Sequence, residues 1–170
     1  VSSTEHKLHA PNSIRCKVIT VSDTRTLETD KSGHLIVQLL EAEGHQIAVH
    51  TVIKDEIDMI TEEILKGCHS NQIDAVITNG GTGVAKRDVT IEAVQPLIEK
   101  ELPGFGEIFR LLSYQDDIGS AAILSRAIAG IVKDTVVFSL PGSTGAVKLG
   151  MNKLILPEIS HIVSELRKDI

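Results

Sequence analysis

Short β-branched apolar runs alternate along this chain with stretches whose apolar residues recur at helical spacing. Residues 16–21 predict a first strand, and residues 32–43 a helix that Gly44 ends in the usual C-terminal manner. Residues 45–53 predict a second strand. Asp55 can cap the next helix, which runs to about Cys68 with Asp58 in its first turn. Residues 73–78 predict a third strand, and residues 89–99 a helix that Pro96 shortens or kinks. Pro103-Gly104-Phe105-Gly106 breaks the chain before helical patterns over residues 107–116 and 120–126. Residues 127–132 and 135–140 flank Lys133-Asp134 as a hairpin, which makes one strand antiparallel. The tail, residues 144–168, predicts one or two helices with a break near Pro157. This alternation implies an α/β fold, a three-layer α/β/α sandwich whose sheet is mostly parallel with one antiparallel strand.

No internal repeat, low-complexity stretch or linker interrupts the pattern. A flexible arm over residues 1–14 and one domain over residues 15–170 are expected. A chain of 170 residues can bury roughly 70% of its unfolded surface. Aromatics make up only 2% (Phe105, Phe109, Phe138 and Tyr114), so Ile, Val, Leu and Ala must build the core. The net charge of −6 disfavours nucleic-acid binding, which calls for a basic face and stacking aromatics. It leaves room for a small anion in a locally basic pocket. Cys16 and Cys68 are isolated, as fits a reducing compartment. No apolar run is long enough to span a membrane, and the polar start lacks the apolar stretch of a secretory signal. A cytoplasmic location is expected.

Three of the predicted strands end in polar, turn-forming loops: Ser22-Asp23-Thr24-Arg25, the loop from Gly80 to Asp88, and Pro141-Gly142-Ser143-Thr144-Gly145. If these strands are parallel the loops share one edge, where ligands of open α/β sheets bind. The middle loop is the most informative. Gly80, Gly81 and Gly83 let a backbone approach a ligand closely and aim N–H groups at an anion. It is neither of two common phosphate loops. A P-loop counted from Gly80 meets Ala85 and Arg87 where glycine and Ser/Thr are required, and a dinucleotide fingerprint counted from Gly81 ends on Lys86. Lys86 and Arg87 suit a phosphate. Asp88 does not, unless a metal ion lies between acid and phosphate. A helix cap is the alternative role for Asp55 and for Asp88. Arg25 and Arg126 suit either a phosphate contact or an ordinary salt bridge. The seven histidines form no recognised metal-ligand spacing.

The ordered set of motifs resembles the MoaB/MogA family of molybdenum-cofactor biosynthesis proteins, found also as domains of gephyrin-type proteins. The matching pieces are Val21-Ser22-Asp23-Thr24-Arg25, Lys54-Asp55-Glu56, Gly80-Gly81-Thr82-Gly83, Arg87-Asp88-Val89-Thr90-Ile91-Glu92-Ala93, Gly104-Phe105-Gly106-Glu107, Leu124-Ser125-Arg126 and Leu140-Pro141-Gly142-Ser143. The resemblance spans about residues 15 to 166 and is stronger to the MoaB branch. Asn79 departs from the pattern, in which threonine or glycine often precedes the Gly-Gly pair.

The resemblance implies binding of molybdopterin, a pterin dithiolene with a terminal phosphate. It also implies adenylyl transfer from Mg-ATP, giving adenylylated molybdopterin and pyrophosphate. The family's catalytic acids fall on Asp55 and Asp88, which would also hold Mg2+. Its ligand site falls on Ser22, Asp23, Gly80, Gly81, Thr82, Gly83, Arg87, Pro141, Gly142 and Ser143. A homotrimer or homohexamer is implied too, in keeping with apolar segments at residues 108–112 and 121–131. Two other functions remain open at this point: a pterin-binding scaffold or carrier with little catalysis, and a nucleotide hydrolase. Gly81→Val is expected to damage ligand binding far more than folding.

Overall fold

The structure, a computed structural model, describes residues 10–168. Residues 1–9 of the expected N-terminal arm lie outside the described residues. Packed chain is present by Ile14, which is fully buried and donates its N–H to His45 Nδ1 at 3.1 Å.

The strands are β1 (Arg15–Val21), β2 (Gln46–Ile53), β3 (Ala75–Asn79), β4 (Lys100–Glu101), β5 (Ile128–Val132) and β6 (Thr135–Leu140). The helices are α1 (Lys31–Ala42), α2 (Ile57–Cys68), α3 (Thr90–Val94), α4 (Pro103–Asp116), α5 (Thr144–Gly150) and α6 (Leu156–Leu166). One sheet runs in the order β2-β1-β3-β6-β5-β4. β2, β1, β3 and β6 are mutually parallel, and β5 alone runs against its neighbours β6 and β4. β1, β3, β5 and β6 are buried almost throughout, as strands covered on both faces must be. β2, at the edge, is half-buried or exposed throughout and mixes apolar residues with Gln46, His50 and Thr51.

The period of two along the strands divides the core. Cys16, Val18, Ala75, Ile77, Val136 and Phe138 face a cluster completed by α1, α4, α5 and α6. Ile19, Val21, Val76 and Val137 face a second cluster completed by α2 and α3. The sheet is therefore covered on both sides, the three-layer sandwich anticipated from the sequence.

Four local details differ from the sequence pattern. Helix α4 begins at Pro103, not after Gly106. Proline is tolerated at the first helical position because its missing N–H has no partner there anyway. Gly106 serves packing: a Cβ there would lie 2.7 Å from Ala127 O. The expected helix over residues 89–99 shrinks to α3 and a 3-10 turn, Gln95–Leu97, after which β4 adds an unforeseen edge strand. The short helix expected over residues 120–126 is a 3-10 segment, Gly119–Leu124. The expected break near Pro157 is a π-turn, Met151–Ile155, in which Leu156 N–H reaches back to Met151 O. Pro157 cannot donate, and the widened turn carries α5 into α6 without interruption. No helix among the described residues is long and apolar enough to cross a membrane.

At the edge of the sheet opposite the glycine loops, Asp74 is 7% exposed. It accepts from Arg15 N–H at 2.9 Å, Arg15 Nη2 at 2.8 Å and Arg167 Nη2 at 2.7 Å. Burial works to raise this carboxyl, but the bonds from Arg15 and Arg167 outweigh it and hold it below the ordinary carboxylate range. A depressed folded-state value gives stability that is present above the unfolded value, near pH 4, and lost as pH falls through the folded one. Asp74→Asn is expected to cost roughly 1–3 kcal/mol at neutral pH. It should also flatten the loss of stability below about pH 4, as urea unfolding across pH would read.

Candidate functional site

The four parallel strands end level with one another. Val21 pairs with Ile53, Thr20 with Asn79, and Asn79 with Leu140. Their C-terminal loops therefore share one edge. The chain leaves β1 for a helix on one face of the sheet and β3 for a helix on the other, so a crevice opens between the two strands. A cleft of about 640 Å³ fills it. The residues that the family resemblance assigns to the site all line this cleft: Ser22 and Asp23 after β1, Asp55 after β2, Gly80, Gly81, Thr82, Gly83, Arg87 and Asp88 after β3, and Pro141, Gly142 and Ser143 after β6; Lys86 and Arg126, also considered for a phosphate, do not.

In the Gly80 loop the backbone carbonyls are taken up from behind. Gly80 O accepts from Thr90 Oγ1 at 2.8 Å and Gly81 O from Thr90 N–H at 2.9 Å. Arg126, which does not line the cleft, supplies the next three. Its Nε donates to Thr82 O at 3.1 Å, and its Nη2 to Gly83 O at 2.6 Å and Asp88 O at 3.1 Å. The opposite edge of the guanidinium pairs with the Glu92 carboxylate on α3. Among the described residues, the N–H groups of Gly81, Thr82, Gly83 and Val84 have no acceptor. A stretch of backbone with satisfied carbonyls and free N–H groups, at the lip of a cleft, is chemically an anion receptor.

The carboxylates stand where the glycines leave space. A Cβ on Gly81 would lie 2.8 Å from Asp55 Oδ1, and one on Gly83 2.6 Å from Asp88 Oδ2. Neither aspartate caps a helix. The N-cap of α2 is Glu56 and that of α3 is Val89, both without a side-chain bond. Asp88 Oδ2 instead accepts Ala85 N–H at 3.0 Å, which closes the loop on itself. Asp23 Oδ1 accepts Asp55 N–H at 3.2 Å. Burial first, then the charges of Asp23 and Asp88, raise the Asp55 carboxyl above its ordinary value against the pull of Arg87. The cleft thus combines donors for an anion with excess negative charge that a cation would relieve. The described residues contain no group of three side chains able to hold a metal by themselves. Magnesium, which takes one or two carboxylates plus phosphate oxygens, fits Asp55 and Asp88 when it arrives with a phosphate-bearing ligand.

The flanking loops are built on the same lines. Ser22 Oγ accepts the N–H groups of Thr24 and Arg25, at 3.3 and 3.2 Å, and so shapes the first loop. Gly142 O accepts from Ser32 Oγ at 2.6 Å and from Arg25 Nη1 and Nη2 at 3.4 Å each. Ser143 caps α5, its Oγ accepting Ala146 N–H at 3.2 Å. Arg25 lines the cleft, holds the Gly142 carbonyl and pairs with Asp30, so it has the salt bridge expected of it and a loop carbonyl besides.

Several contributors carry no recognised motif. Asp30 is fully buried and caps α1 through Gly33 N–H at 2.9 Å. It accepts from Thr20 Oγ1 at 2.6 Å, lies 3.0 Å from His50 Nε2, and stands 3.8 Å from Arg25. An aspartate just before a helical pattern was the available signal for it. Asn79, the departure from the family pattern, joins this network by donating to Thr20 Oγ1 at 2.8 Å. Ile118, Ala121 and Leu124 give the cleft an apolar wall, of which only Leu124 falls in a quoted motif. The cysteines take no part. Burial pushes the Cys16 thiol up to about 12 and the Cys68 thiol up to about 11, so both stay protonated at neutral pH.

Gly81 has a left-handed φ of +66°, and a side chain there would also meet Thr90 Oγ1 at 2.3 Å. This corrects the expectation that Gly81→Val damages ligand binding far more than folding. The substitution should cost roughly 2–4 kcal/mol as well as abolish anion binding. Gly83 has no left-handed φ, and the nearest atoms to its added Cβ are those of the Asp88 carboxylate. Gly83→Ala is expected to lose ligand binding with a stability change of about 1 kcal/mol or less. Chemical denaturation paired with ligand titration separates the two.

The family described as probable molybdopterin binding domain matches residues 17–161. Molybdenum cofactor biosynthesis protein B of Bacillus subtilis (strain 168) is 64% identical over 169 residues, which are 99% of either chain. A crystal structure of a molybdenum cofactor biosynthesis protein B superposes with a TM-score of 0.91 at 56% identity, covering 94% of this chain and 99% of that one. The tungsten cofactor synthesizing protein MoaB from Pyrococcus furiosus gives 0.83 at 40% identity, over 94% of this chain and all of the other. The chain belongs to this family, the MoaB/MogA group of molybdenum-cofactor biosynthesis proteins.

Proposed function

We propose that the cleft binds molybdopterin through its phosphate and transfers an adenylyl group to it from ATP. The observation that carries this is the Gly80 loop, whose carbonyls are engaged behind it while its N–H groups and two carboxylates border the cleft. The names of the relatives place them in cofactor biosynthesis, which supports a pterin phosphate as the anion.

The chemistry asks little of a general base. A phosphate monoester loses its second proton near pH 6, so the nucleophile is largely dianionic at neutral pH. A phosphate oxygen of molybdopterin attacks the α-phosphorus of ATP. A new P–O bond forms, the α–β anhydride bond breaks, and the electron pair leaves with pyrophosphate. The protein has to bring two anions together. The free N–H groups of Gly81, Thr82 and Gly83 take the pterin phosphate, Arg87 adds positive charge, and the wall of Ile118 and Leu124 takes apolar surface. Asp55 and Asp88 would hold magnesium, which when bound offsets charge on the leaving pyrophosphate.

Asp88→Asn keeps an oxygen that can accept Ala85 N–H, so the loop stays closed while the charge is lost. Pyrophosphate release should fall roughly 10²- to 10⁴-fold with molybdopterin affinity preserved. Asp55→Asn should act similarly, with more effect on ATP than on pterin affinity. Turnover at the wild-type rate by Asp88→Asn would reduce this residue to a loop clasp. Tight pterin binding by a wild type that releases no pyrophosphate would make the protein a scaffold or carrier.

The same reading includes self-association as a trimer or hexamer. Ile108, Leu111 and Tyr114 on α4, with Ile118, Ile123 and Leu124 beside it, expose apolar side chains, Ile123 as much as 83%. Clustered exposure of this kind marks an interaction surface. Light scattering at micromolar concentration is expected to give three or six times the chain mass, and Leu111→Asp to lower it. A monomeric wild type would remove the proposal.

A further inference from the structure

Arg126 stands behind the Gly80 loop, not in the cleft. It follows the 3-10 segment Gly119–Leu124, is absent from the cleft lining, and spends its guanidinium on backbone and on Glu92. One edge, Nε and Nη2, covers Thr82 O, Gly83 O and Asp88 O at 2.6–3.1 Å. The other edge, Nη1 and Nη2, meets the two oxygens of Glu92. Two of these carbonyls belong to Thr82 and Gly83, whose own N–H groups face no acceptor among the described residues, and the third closes the loop at Asp88. Were the peptides to rotate, carbonyl oxygens would replace N–H groups as the atoms offered to an anion, and attraction would become repulsion.

We propose that Arg126 is a positioning residue that fixes the peptide orientation of the Thr82–Asp88 loop, with Glu92 holding the guanidinium in place. The proposal rests on the reading of the loop as the seat of the pterin phosphate. Arginine is the side chain that can do this. Its five donors lie in one plane and form two parallel-edged forks, whereas a lysine ammonium is a point that cannot span three carbonyls and a carboxylate. The pull of Arg126 on Glu92 is also visible in the carboxyl of Glu92, which the arginine's hydrogen bond holds below its ordinary value.

Arg126→Lys and Glu92→Gln in the full chain test the assignment, with Asp74→Asn as a control for lost stability at the far edge of the sheet. Molybdopterin titration should show affinity reduced roughly ten- to hundredfold in Arg126→Lys. Glu92→Gln should lose less, and Asp74→Asn less than about threefold. In turnover the KM for molybdopterin should rise with the loss of affinity, while the KM for ATP stays within about threefold. Hydrogen exchange on the unliganded protein should accelerate at the bonded loop amides of Ala85 and Asp88 in Arg126→Lys and stay unchanged in β1 and β3. A wild type that binds no molybdopterin would sink the functional reading but not the exchange result. Wild-type pterin affinity and wild-type loop exchange in Arg126→Lys would overturn the role of Arg126. So would a loss no larger than that of Asp74→Asn at equal stability.

Discussion

A peptide group offers its N–H on one side and its carbonyl on the other, and a loop cannot turn one toward an anion without finding a partner for the second. The cleft depends on how that constraint is met. Thr90 takes two carbonyls of the Gly80 loop and Arg126 takes three, while across the cleft Ser32 and Arg25 take the carbonyl of Gly142. None of the four partners is a glycine or lies in a glycine-rich motif. The loops can be receptive in front because other elements of the fold are attached behind them.

The second constraint is the company of like charges. Asp23, Asp55 and Asp88 all line the cleft, and burial together with the charges of the other two raises the Asp55 carboxyl. Glycine at positions 81 and 83 is what lets the carboxylates stand so close to the loop. Anion donors and carboxylates side by side make little sense for a bare phosphate. They make good sense for a phosphate accompanied by a cation.

The strands were readable because β1, β3 and β6 are covered on both faces and so carry nearly unbroken apolar runs. The residues lining the cleft were readable because glycine, proline and short polar side chains mark the ends of those strands. What stayed hidden depends on contacts with backbone or on close packing. Pro103-Gly104-Phe105-Gly106 looked like an interruption because glycine at 106 reports the nearness of Ala127 O, not a turn. β4 is two charged residues long and leaves no apolar trace. Asp55 looked like a cap because it precedes a helix, but the helix starts one residue too late for it. The partners of Arg126 are carbonyl oxygens, and any residue type can supply those.

Gly142 sits against Gly80 so closely that a Cβ on the former would lie 3.1 Å from the Cα of the latter, and Gly80 N–H is bonded to Leu140 O. The second and third loops therefore touch through bare backbone, with no side chain between them to absorb a change. They form a single floor although some sixty residues separate them in the chain. In an engineered hybrid, a loop taken from a relative would have to travel with its neighbour. In natural divergence, drift at one of the two should be visible only where the other has drifted with it.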